Sequence, residues 1–554
     1  MTALPYDFHY DPKLSAITHG ARLRAPLYPD PEMPMEDVAP HEQGIPGSPR
    51  NALFYQDLVP LPMASHGDGI YIYDEQGRRY LDGCSGAICA NLGHGNKRIA
   101  AVAAEQAGKI AFAYRTQFES RPANELADML VRLAPPGLNR VFFVNSGSES
   151  VEAAIKLARQ YWWSVGKQGK HMIIARRPSY HGATLGALSA TAYAPLNIPY
   201  RPMSLNFPKI SAPYCYHCPL NKEYPSCEMA CARELERAIR VHGPDNIAAF
   251  ITEPIGGAST GGAVPPPEWF PMVAEICKEY NILLIVDDVL TGCGRTGTFY
   301  GFEHWGVTPD IVALSKGLGA GYTPIGATVA TDTVVQPVMD SGGFMHGHTY
   351  AGNPLSTAIA REVLKITLEE GLVENAGAMG VVLHEGLHEL MAKYPIIGDV
   401  RGRGLLAGIE FVRDRAKREP FPAHWNVGRE ITQIARERGL LIYPRRSLYG
   451  LSGDHVLLAP PLIIKEAGIE EMLMLFEQSL EELMPLLDKH YEQDIAAEEA
   501  YRNEKRYELE DEIPAYALGD IEGVQSDPEA NVTWQMREGE TAHPEDLVED
   551  PEIL

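Results

Sequence analysis

Between residues 95 and 345, short apolar runs alternate with segments long enough to form a helix, and this alternation constrains the fold more than any other feature. Strands that alternate with helices form a mostly parallel sheet, because each helix carries the chain back to start the next strand in the same direction. In such a sheet, ligands bind at the carboxyl ends of the strands. The residues that directly follow each apolar run are therefore the first candidates for a functional site.

Five of these runs end in residues that carry chemistry. The predicted strands are 141–144, 172–175, 249–252, 283–286 and 311–314. The residues that follow them, in the same order, are Ser146-Gly147-Ser148, Tyr180-His181, Glu253, Asp287 and Lys316. Each feature alone is weak, but an anion cradle, an aromatic ring, two acids and a lysine at one sheet edge form a specific combination.

The first of these segments, Asn-Ser-Gly-Ser-Glu at 145–149, precedes a predicted helix over 151–159. Ser146 and Glu149 have the spacing of a capping box, and Gly147 lets backbone amides approach an anion at the positive helix start. On this motif alone, an ordinary capped helix is the simpler interpretation.

The lysine and the acids suggest a particular cofactor. Lys316 is followed by glycine, and burial there would lower the pKa of its amine enough for attack on a carbonyl. Carboxylates such as Glu253 and Asp287 at the ends of buried strands need partners, because unpaired burial is costly. Pyridoxal 5′-phosphate requires a lysine for its aldehyde, an acid for its pyridine nitrogen, a helix start for its phosphate and an aromatic for its ring.

The sequence from about residue 60 to 480 resembles the class III (ω-amino acid) aminotransferases of the fold-type-I pyridoxal phosphate enzymes. The most specific stretch is 283–297, LLIVDDVLTGCGRTG, and further similar text is ALSKGLGAGYTPIGA, HTYAGNP, VRGRGLLAGIE and HVLLAPPLII. The resemblance implies an α/β fold with a large, mostly parallel sheet domain and a smaller α+β domain. It also implies a homodimer with active sites at the interface.

The resemblance assigns roles to individual residues. It implies that Lys316 is the Schiff-base lysine, that Asp287 is the partner of the pyridine nitrogen, and that Val289 covers one face of the ring. Thr349 matches a threonine that reaches the phosphate of the neighbouring subunit. The residues expected to bind the cofactor are Ser146, Gly147, Ser148, Tyr180, His181, Glu253, Asp287, Val289, Lys316 and Thr349.

Departures from the family pattern concern the acceptor. Where the ornithine and γ-aminobutyrate branches carry a glutamate and an arginine, this chain has Ala258 and Leu457. Leu290 also replaces a glutamine that often touches the ring hydroxyl. We expect a monocarboxylate acceptor such as pyruvate, and an ω-amino acid or simple amine as donor. Arg445 and Arg446 are predicted to lie in a loop, where they either bind a carboxylate or are simply exposed.

The expected function is transfer of an amino group from an amine to a 2-oxo acid by a ping-pong mechanism. A lyase, a decarboxylase or an aminomutase of this fold would use the same residues, because fold and cofactor do not decide the reaction. A non-enzymatic scaffolding protein is disfavoured by the presence of Lys316.

Composition changes along the chain predict its domains. The first 50 residues contain nine prolines, which indicates an arm over 1–60. Residues 61–94 are predicted to belong to the small domain, 95–345 to form the large domain, and 346–490 to complete the small domain with a helix around 466–490. Residues 500–554 hold sixteen acids and four bases, so 491–554 is predicted to be a poorly ordered acidic tail.

Charge and cysteine content exclude several classes of protein. The net charge of −25 disfavours a nucleic-acid partner. No apolar run approaches the ~18 residues of a membrane span. Eight cysteines are ordinary usage for a reducing compartment, and residues 1–16 do not resemble a secretory signal, so we expect a cytoplasmic protein.

Three further motifs are not interpreted as sites, and no metal is predicted. His384-Glu-Gly-Leu-His388 fits a zinc protease pattern but reads as a surface helix, and the glycines of 292–297 read as a shaped loop. Four cysteines stand within seventeen residues, at 215, 218, 227 and 231. Free loop thiols are the favoured interpretation, and a zinc site is the alternative.

Overall fold

The computed structural model describes residues 61–511, with side chains described as far as residue 497. The predicted N-terminal arm and the acidic tail beyond residue 511 therefore lie outside the described residues. The chain divides into two compact units at residue 483. The first unit holds all the described strands, and the second holds the C-terminal part of the last described helix.

Residues 61–511 form sixteen strands and twelve helices, which are numbered in chain order. The strands are β1 (Ala64–Asp68), β2 (Tyr71–Asp74), β3 (Arg79–Asp82), β4 (Leu138–Val144), β5 (Met172–Arg177), β6 (Lys209–Ser211), β7 (Ile247–Thr252), β8 (Leu283–Asp287), β9 (Ile311–Leu314), β10 (Gly326–Thr331), β11 (Ile397–Gly402), β12 (Ala407–Asp414), β13 (Glu419–Pro420), β14 (Leu440–Leu441), β15 (Tyr443–Leu448) and β16 (Ser452–Leu458). The helices are α1 (Lys97–Lys109), α2 (Arg121–Leu133), α3 (Gly147–Ser164), α4 (Leu185–Ala190), α5 (Ala194–Asn197), α6 (Ala230–His242), α7 (Trp269–Glu279), α8 (Asp332–Asp340), α9 (Pro354–Glu369), α10 (Leu372–Lys393), α11 (Val427–Glu437) and α12 (Glu466–Asp511). Short helical turns occur at Ser85–Ile88, Ile198–Met203, Gly301–Trp305, Lys316–Leu318 and Ala423–Trp425.

The largest sheet has seven strands in the order β4-β10-β9-β8-β7-β5-β6. β10 runs antiparallel to both of its neighbours, and the other pairs are parallel. The five strands predicted from the sequence are β4, β5, β7, β8 and β9, and the prediction of a mostly parallel sheet is confirmed. The insertion of β10 between β4 and β9 was not predicted.

Both faces of this sheet are buried, as the continuous apolar runs require. In β8, Leu284 and Val286 pack in the cluster that contains residues of α2, α6 and α7. The alternate residues Leu283 and Ile285 pack in the cluster that contains residues of α3. Each such side chain contributes roughly 1.5–3 kcal/mol of burial free energy, so β8 is strongly fixed between the two layers.

Two smaller sheets complete the first unit. One has the order β1-β2-β3-β14, with β3 and β14 parallel, so it joins the N-terminal described segment to the region after residue 346. The other is antiparallel, in the order β11-β12-β16-β15, with β13 added beside β12. None of the described helices is long and apolar enough to cross a membrane.

The last helix is longer than predicted. The sequence indicated a helix that ends near residue 490, whereas α12 continues to Asp511. Residues 491–511 contain no glycine or proline and are rich in glutamate, arginine and alanine, which favour helix even where net charge is high.

Candidate active site

A cavity of about 350 Å³ opens at the carboxyl ends of the large sheet. Nine of the ten residues predicted to bind the cofactor line it. These residues are Ser146, Gly147, Ser148, Tyr180, His181, Glu253, Asp287, Val289 and Lys316. The parallel strands bring together residues that lie up to 170 positions apart in the sequence, which is the grouping that the strand ends predicted.

Lys316 follows β9 in a helical turn, where its φ of 41° is in the left-handed region. Its Nζ donates a hydrogen bond to the carbonyl oxygen of Ala87, at 2.9 Å. Burial lowers the pKa of Lys316 to about 8, and the charges of Arg295 and Arg445 act in the same direction. A substantial fraction of this amine is therefore neutral near pH 8, the form that attacks a carbonyl.

Asp287, the last residue of β8, is buried in the cavity wall. Its Oδ2 lies 2.8 Å from Nδ1 of His181, and its Oδ1 accepts a hydrogen bond from the amide of Val289 at 3.2 Å. Burial raises the pKa of Asp287, although the contact with His181 opposes the rise. Such a carboxylate gains strongly from any further cation that enters the cavity.

The neighbouring Asp288 stabilises a loop of the fold and does not line the cavity. Its oxygens accept hydrogen bonds from the Thr291 hydroxyl at 2.5 Å and from the Gly301 amide at 2.8 Å, and burial raises its pKa to about 7. These contacts hold the loop that contains the glycine motif 292–297. That motif leads to turns rather than to a long helix, as expected.

The segment after β4 forms the predicted helix start. Ser146 is the N-cap residue of α3, and its hydroxyl accepts a hydrogen bond from the amide of Glu149 at 3.2 Å. Glu149 does not complete a capping box with Ser146, because its carboxylate accepts instead from the amide of Asn145 at 2.7 Å. A Cβ at Gly147 would come within 2.8 Å of Val289, so glycine is required for this close approach.

Glu253 is paired with a residue that the sequence analysis missed. Its Oε2 accepts a hydrogen bond from Nη2 of Arg176 on β5 at 2.5 Å, and its Oε1 accepts from the amide of Tyr180 at 3.3 Å. Arg176 is 2% exposed. A charged residue directly after an apolar run was the available signal, since a buried arginine requires a partner.

A second missed element is the segment 85–88. Its Ala87 and Ile88 line the cavity, and Ile88 has a φ of 62°, which is costly for a β-branched residue. Backbone strain of this kind is found most often at functional sites. In this segment the strained conformation lies next to Ala87, whose carbonyl is beside Lys316. The residues of the segment SGAICAN have no preference for a positive φ at the isoleucine, so the sequence does not predict this conformation.

Thr349 does not line the cavity of its own chain. It is exposed in the segment after α8, where His348 Nδ1 lies 3.7 Å from Oε1 of Glu149. The implied contact with a neighbouring subunit stays a prediction.

Ala258 and Leu457, which stand where other branches carry a glutamate and an arginine, lie in one apolar cluster beside the cavity, called here the apolar wall. Leu457 is fully buried in a cluster with Ile255 and Leu406, and Ala258 packs against this cluster and lines the cavity. Neither of these two side chains carries a charge.

The two arginines predicted in a loop lie instead on strand β15, because this segment pairs with β16. Arg445 lines the cavity, and its guanidinium group stacks over the ring of Tyr443 at 4.3 Å. Arg446 is held away by Asp454 at 3.2 Å and by the carbonyl oxygen of Ala423 at 2.6 Å. Only the first of this pair is therefore placed to meet a ligand.

The remaining cysteine and histidine motifs stay outside this site. All eight cysteines are unpaired thiols, and the four at 215, 218, 227 and 231 border one small separate cavity. Within the described residues, no three side chains of ligand type are arranged to hold a metal ion. His384 and His388 lie on α10, as predicted.

The cavity fits pyridoxal 5′-phosphate on the chemistry of its side chains. The start of α3 offers backbone N–H groups for a phosphate, beside the close approach that Gly147 permits. Tyr180 and Val289 offer an aromatic and an apolar surface, Asp287 a buried carboxylate, and Lys316 an amine of lowered pKa.

Comparison with known proteins agrees with this geometry. Residues 56–480 match the family model described as "Aminotransferase class-III". The chain is 41% identical to the uncharacterised aminotransferase YodT of Bacillus subtilis, over 76% of this chain and 95% of the relative. It is 33% identical to a putrescine–pyruvate aminotransferase of Pseudomonas aeruginosa, over 75% of this chain and 89% of the relative.

Among solved structures, the ω-transaminase from Pseudomonas jessenii in complex with PMP matches with a TM-score of 0.72 at 35% identity, over 77% of this chain and 93% of that one. The fold is thus that of the fold-type-I pyridoxal phosphate enzymes. The family match over residues 56–480 includes every described strand and every residue that lines the cavity, and the protein belongs to the class III aminotransferases.

Proposed function

We propose that the protein is a pyridoxal-phosphate-dependent aminotransferase that moves an amino group from an amine or ω-amino acid to pyruvate by a ping-pong mechanism. The observation that carries the proposal is the placement of Lys316 and Asp287 in one cavity with the helix start of α3. The family supports the reaction class, and the donor, the acceptor and the mechanism are our proposal.

In this proposal, Ser146, Gly147 and Ser148 hold the phosphate, Tyr180 and Val289 contact the two ring faces, and Asp287 faces the ring nitrogen. When bound, the cofactor supplies an aldehyde and an electron-withdrawing ring. His181 keeps Asp287 oriented through the 2.8 Å contact between Nδ1 and Oδ2.

Lys316 moves the proton. As a general base, its Nζ would take a proton from the substrate carbon that carries the amino group. The pKa of about 8 allows the same atom to accept this proton and then to donate it to the cofactor side of the transferred amino group, so that the proton changes carbon. The carbonyl of Ala87, 2.9 Å from Nζ, limits where the amine can rest.

Arg445 binds the carboxylate of pyruvate or of an ω-amino acid. It is the arginine of β15 that lines the cavity, and its hydrogen bonds within the described residues go to the Tyr443 hydroxyl and the Pro444 carbonyl rather than to a carboxylate. The apolar wall of Ala258 and Leu457 disfavours the second carboxylate of 2-oxoglutarate. The pyruvate named for the Pseudomonas aeruginosa relative agrees with this choice.

The test combines labelling and steady-state kinetics. Borohydride should fix the cofactor on the peptide that contains Lys316, and Lys316→Ala should abolish turnover. A panel of amines and ω-amino acids should show turnover only with a stoichiometric 2-oxo acid. The value of kcat/KM should be at least about tenfold higher for pyruvate than for 2-oxoglutarate, which corresponds to about 1.4 kcal/mol.

Turnover without any 2-oxo acid would instead indicate the lyase, decarboxylase or aminomutase alternative. A clear preference for 2-oxoglutarate would contradict the acceptor assignment.

We also propose a homodimer. Phe112, Tyr114 and Tyr350 are exposed aromatic side chains, and the ring of Phe112 lies 6.2 Å from that of Tyr114 and 6.0 Å from that of Tyr350, so they form a patch that a second copy would bury. Thr349 lies beside this patch in sequence. Light scattering on the full chain should give twice the monomer mass. The Tyr350→Glu variant should give a lower mass, closer to that of the monomer.

We further propose a cytoplasmic location. The support is that all eight cysteines are unpaired thiols, which persist in a reducing compartment. Cell fractionation followed by immunodetection tests this proposal.

A further inference from the structure

A buried carboxylate that does not line the cavity contacts three separate segments of the chain. Glu410 on β12 is fully buried. Its Oε1 lies 2.8 Å from His217 Nε2 and accepts a hydrogen bond from the Ser447 hydroxyl at 3.2 Å. Its Oε2 accepts from Nη2 of Arg401 at 2.6 Å and from the hydroxyl of Tyr214.

This cluster is charged at neutral pH. Burial alone would raise the pKa of Glu410, but the charge of Arg401 and the contacts with His217 and Tyr214 lower it to about 2. A buried ion pair is usually no more stabilising than well-packed apolar residues of the same volume. Stability alone therefore does not explain this arrangement, whereas the fixed directions of its hydrogen bonds favour a role in positioning.

One connection leads to the apolar wall of the cavity. Arg401 donates to the carbonyl oxygen of Thr260 from Nε at 3.1 Å and from Nη2 at 2.8 Å. A Cβ at Gly261 would come within 2.7 Å of Arg401, so the loop lies directly against this guanidinium. Ala258 and Ser259, just before Thr260, line the cavity.

The other connection leads to the arginine that lines the cavity. Ser447 and Arg445 are two residues apart on β15 and therefore lie on the same face of the strand. In the sheet, His455 on β16 pairs with Glu410 on one side and with Arg445 on the other. Glu410, His455 and Arg445 thus form one row across three strands.

We propose that Glu410 is a positioning residue for the recognition of substrate carboxylates. It holds the Thr260 loop through Arg401 and strand β15 through Ser447, and so sets the distance between the apolar wall and Arg445. The inference rests on the proposed function, in which Arg445 binds the carboxylate.

The experiment measures Glu410→Gln in the full-length holoenzyme with two classes of substrate. The values of KM for pyruvate and for β-alanine should rise by about tenfold, because the distance to Arg445 is no longer fixed. The value of kcat, the KM for butylamine, which has no carboxylate, and the absorbance of the bound cofactor should change by less than about threefold. Such a split between substrates is not expected from a general loss of stability.

Asp399→Asn is the matched control, because Asp399 contacts Nη1 of the same arginine at 2.9 Å, and it meets Glu410 through the strand pairing of β11 with β12, which the substitution keeps. It should leave all of these constants within about twofold. Equal changes for butylamine and for the carboxylate substrates in Glu410→Gln would overturn the inference, as would no change at all.

Two further variants keep the inference testable if Glu410→Gln does not fold. Ser447→Ala and Tyr214→Phe each remove one donor to the carboxylate and should raise only the carboxylate KM values, by about threefold. Unchanged values in both variants would overturn the inference. Failure of the proposed function is separately visible, because the wild type would then transaminate no amine, or Arg445→Ala would leave the KM for pyruvate unchanged.

Discussion

Asp287→Asn is the perturbation that tests the site most directly. Asparagine keeps the size of the side chain but removes the negative charge at the end of β8. In the proposed function, that charge faces a protonated ring nitrogen and stabilises negative charge that develops on the substrate. The fold should tolerate the change, because burial raises the pKa of Asp287 and its charge is already unfavourable there.

The magnitude follows from the contact distances in the cavity. Asp287 Oδ2 lies 2.8 Å from the nearest nitrogen, that of His181. Two unit charges about 3 Å apart interact by roughly 5–6 kcal/mol at an effective dielectric constant of about 20. The asparagine dipole recovers part of this energy, so we expect the barrier to rise by at least about 3 kcal/mol, or roughly 150-fold in rate.

The assay is the donor half-reaction, followed by the absorbance of the bound cofactor under single-turnover conditions. Asp288→Asn is the control, since Asp288 contacts Thr291 and Gly301 rather than the cavity, and its rate should stay within about threefold of the wild type. Equal losses in the two variants, or a loss below about tenfold in Asp287→Asn, would refute the assignment.

Three further outcomes are expected. Only the neutral amine attacks a carbonyl, so the rate at which the cofactor-free protein captures pyridoxal phosphate should increase as the pH rises through about 8, the pKa of Lys316. A rate whose midpoint lies near the pKa of free lysine would contradict this. Arg176→Met should lower the free energy of unfolding by about 3–5 kcal/mol, because Glu253 is left buried and unpaired; the double variant with Glu253→Gln should recover most of it in denaturant titrations. Removal of residues 512–554, which lie beyond the family match, should leave turnover within about threefold, and lost activity would show that the tail is needed.

The local sequence was sufficient to predict eight of the polar, glycine and aromatic residues that line the cavity. Each strand end carries its functional residue next to a continuous apolar run, and such runs are recognisable without knowledge of the neighbouring strands. Parallel strands then bring their carboxyl ends to one edge, so Ser146, Asp287 and Lys316 could be grouped from their positions alone. Further detail came from the family resemblance, which indicated Val289.

Tertiary structure decided what depends on contacts between distant segments. The strand order, with β10 between β4 and β9, follows from packing that no local pattern encodes. The pairing of Arg176 with Glu253 joins residues on two strands, and the strained Ile88 is held by its surroundings against its own preference.

The two arginines of β15 show the difference most clearly. The letters YPRRSLYG indicate a loop, because proline and glycine flank the charges. Pairing with β16 makes the segment a strand, and successive side chains of a strand point to opposite faces. The sequence placed two equivalent cations near the site, and the sheet turned Arg445 to the cavity and Arg446 to Asp454, because their faces are fixed only when the partner strand is present.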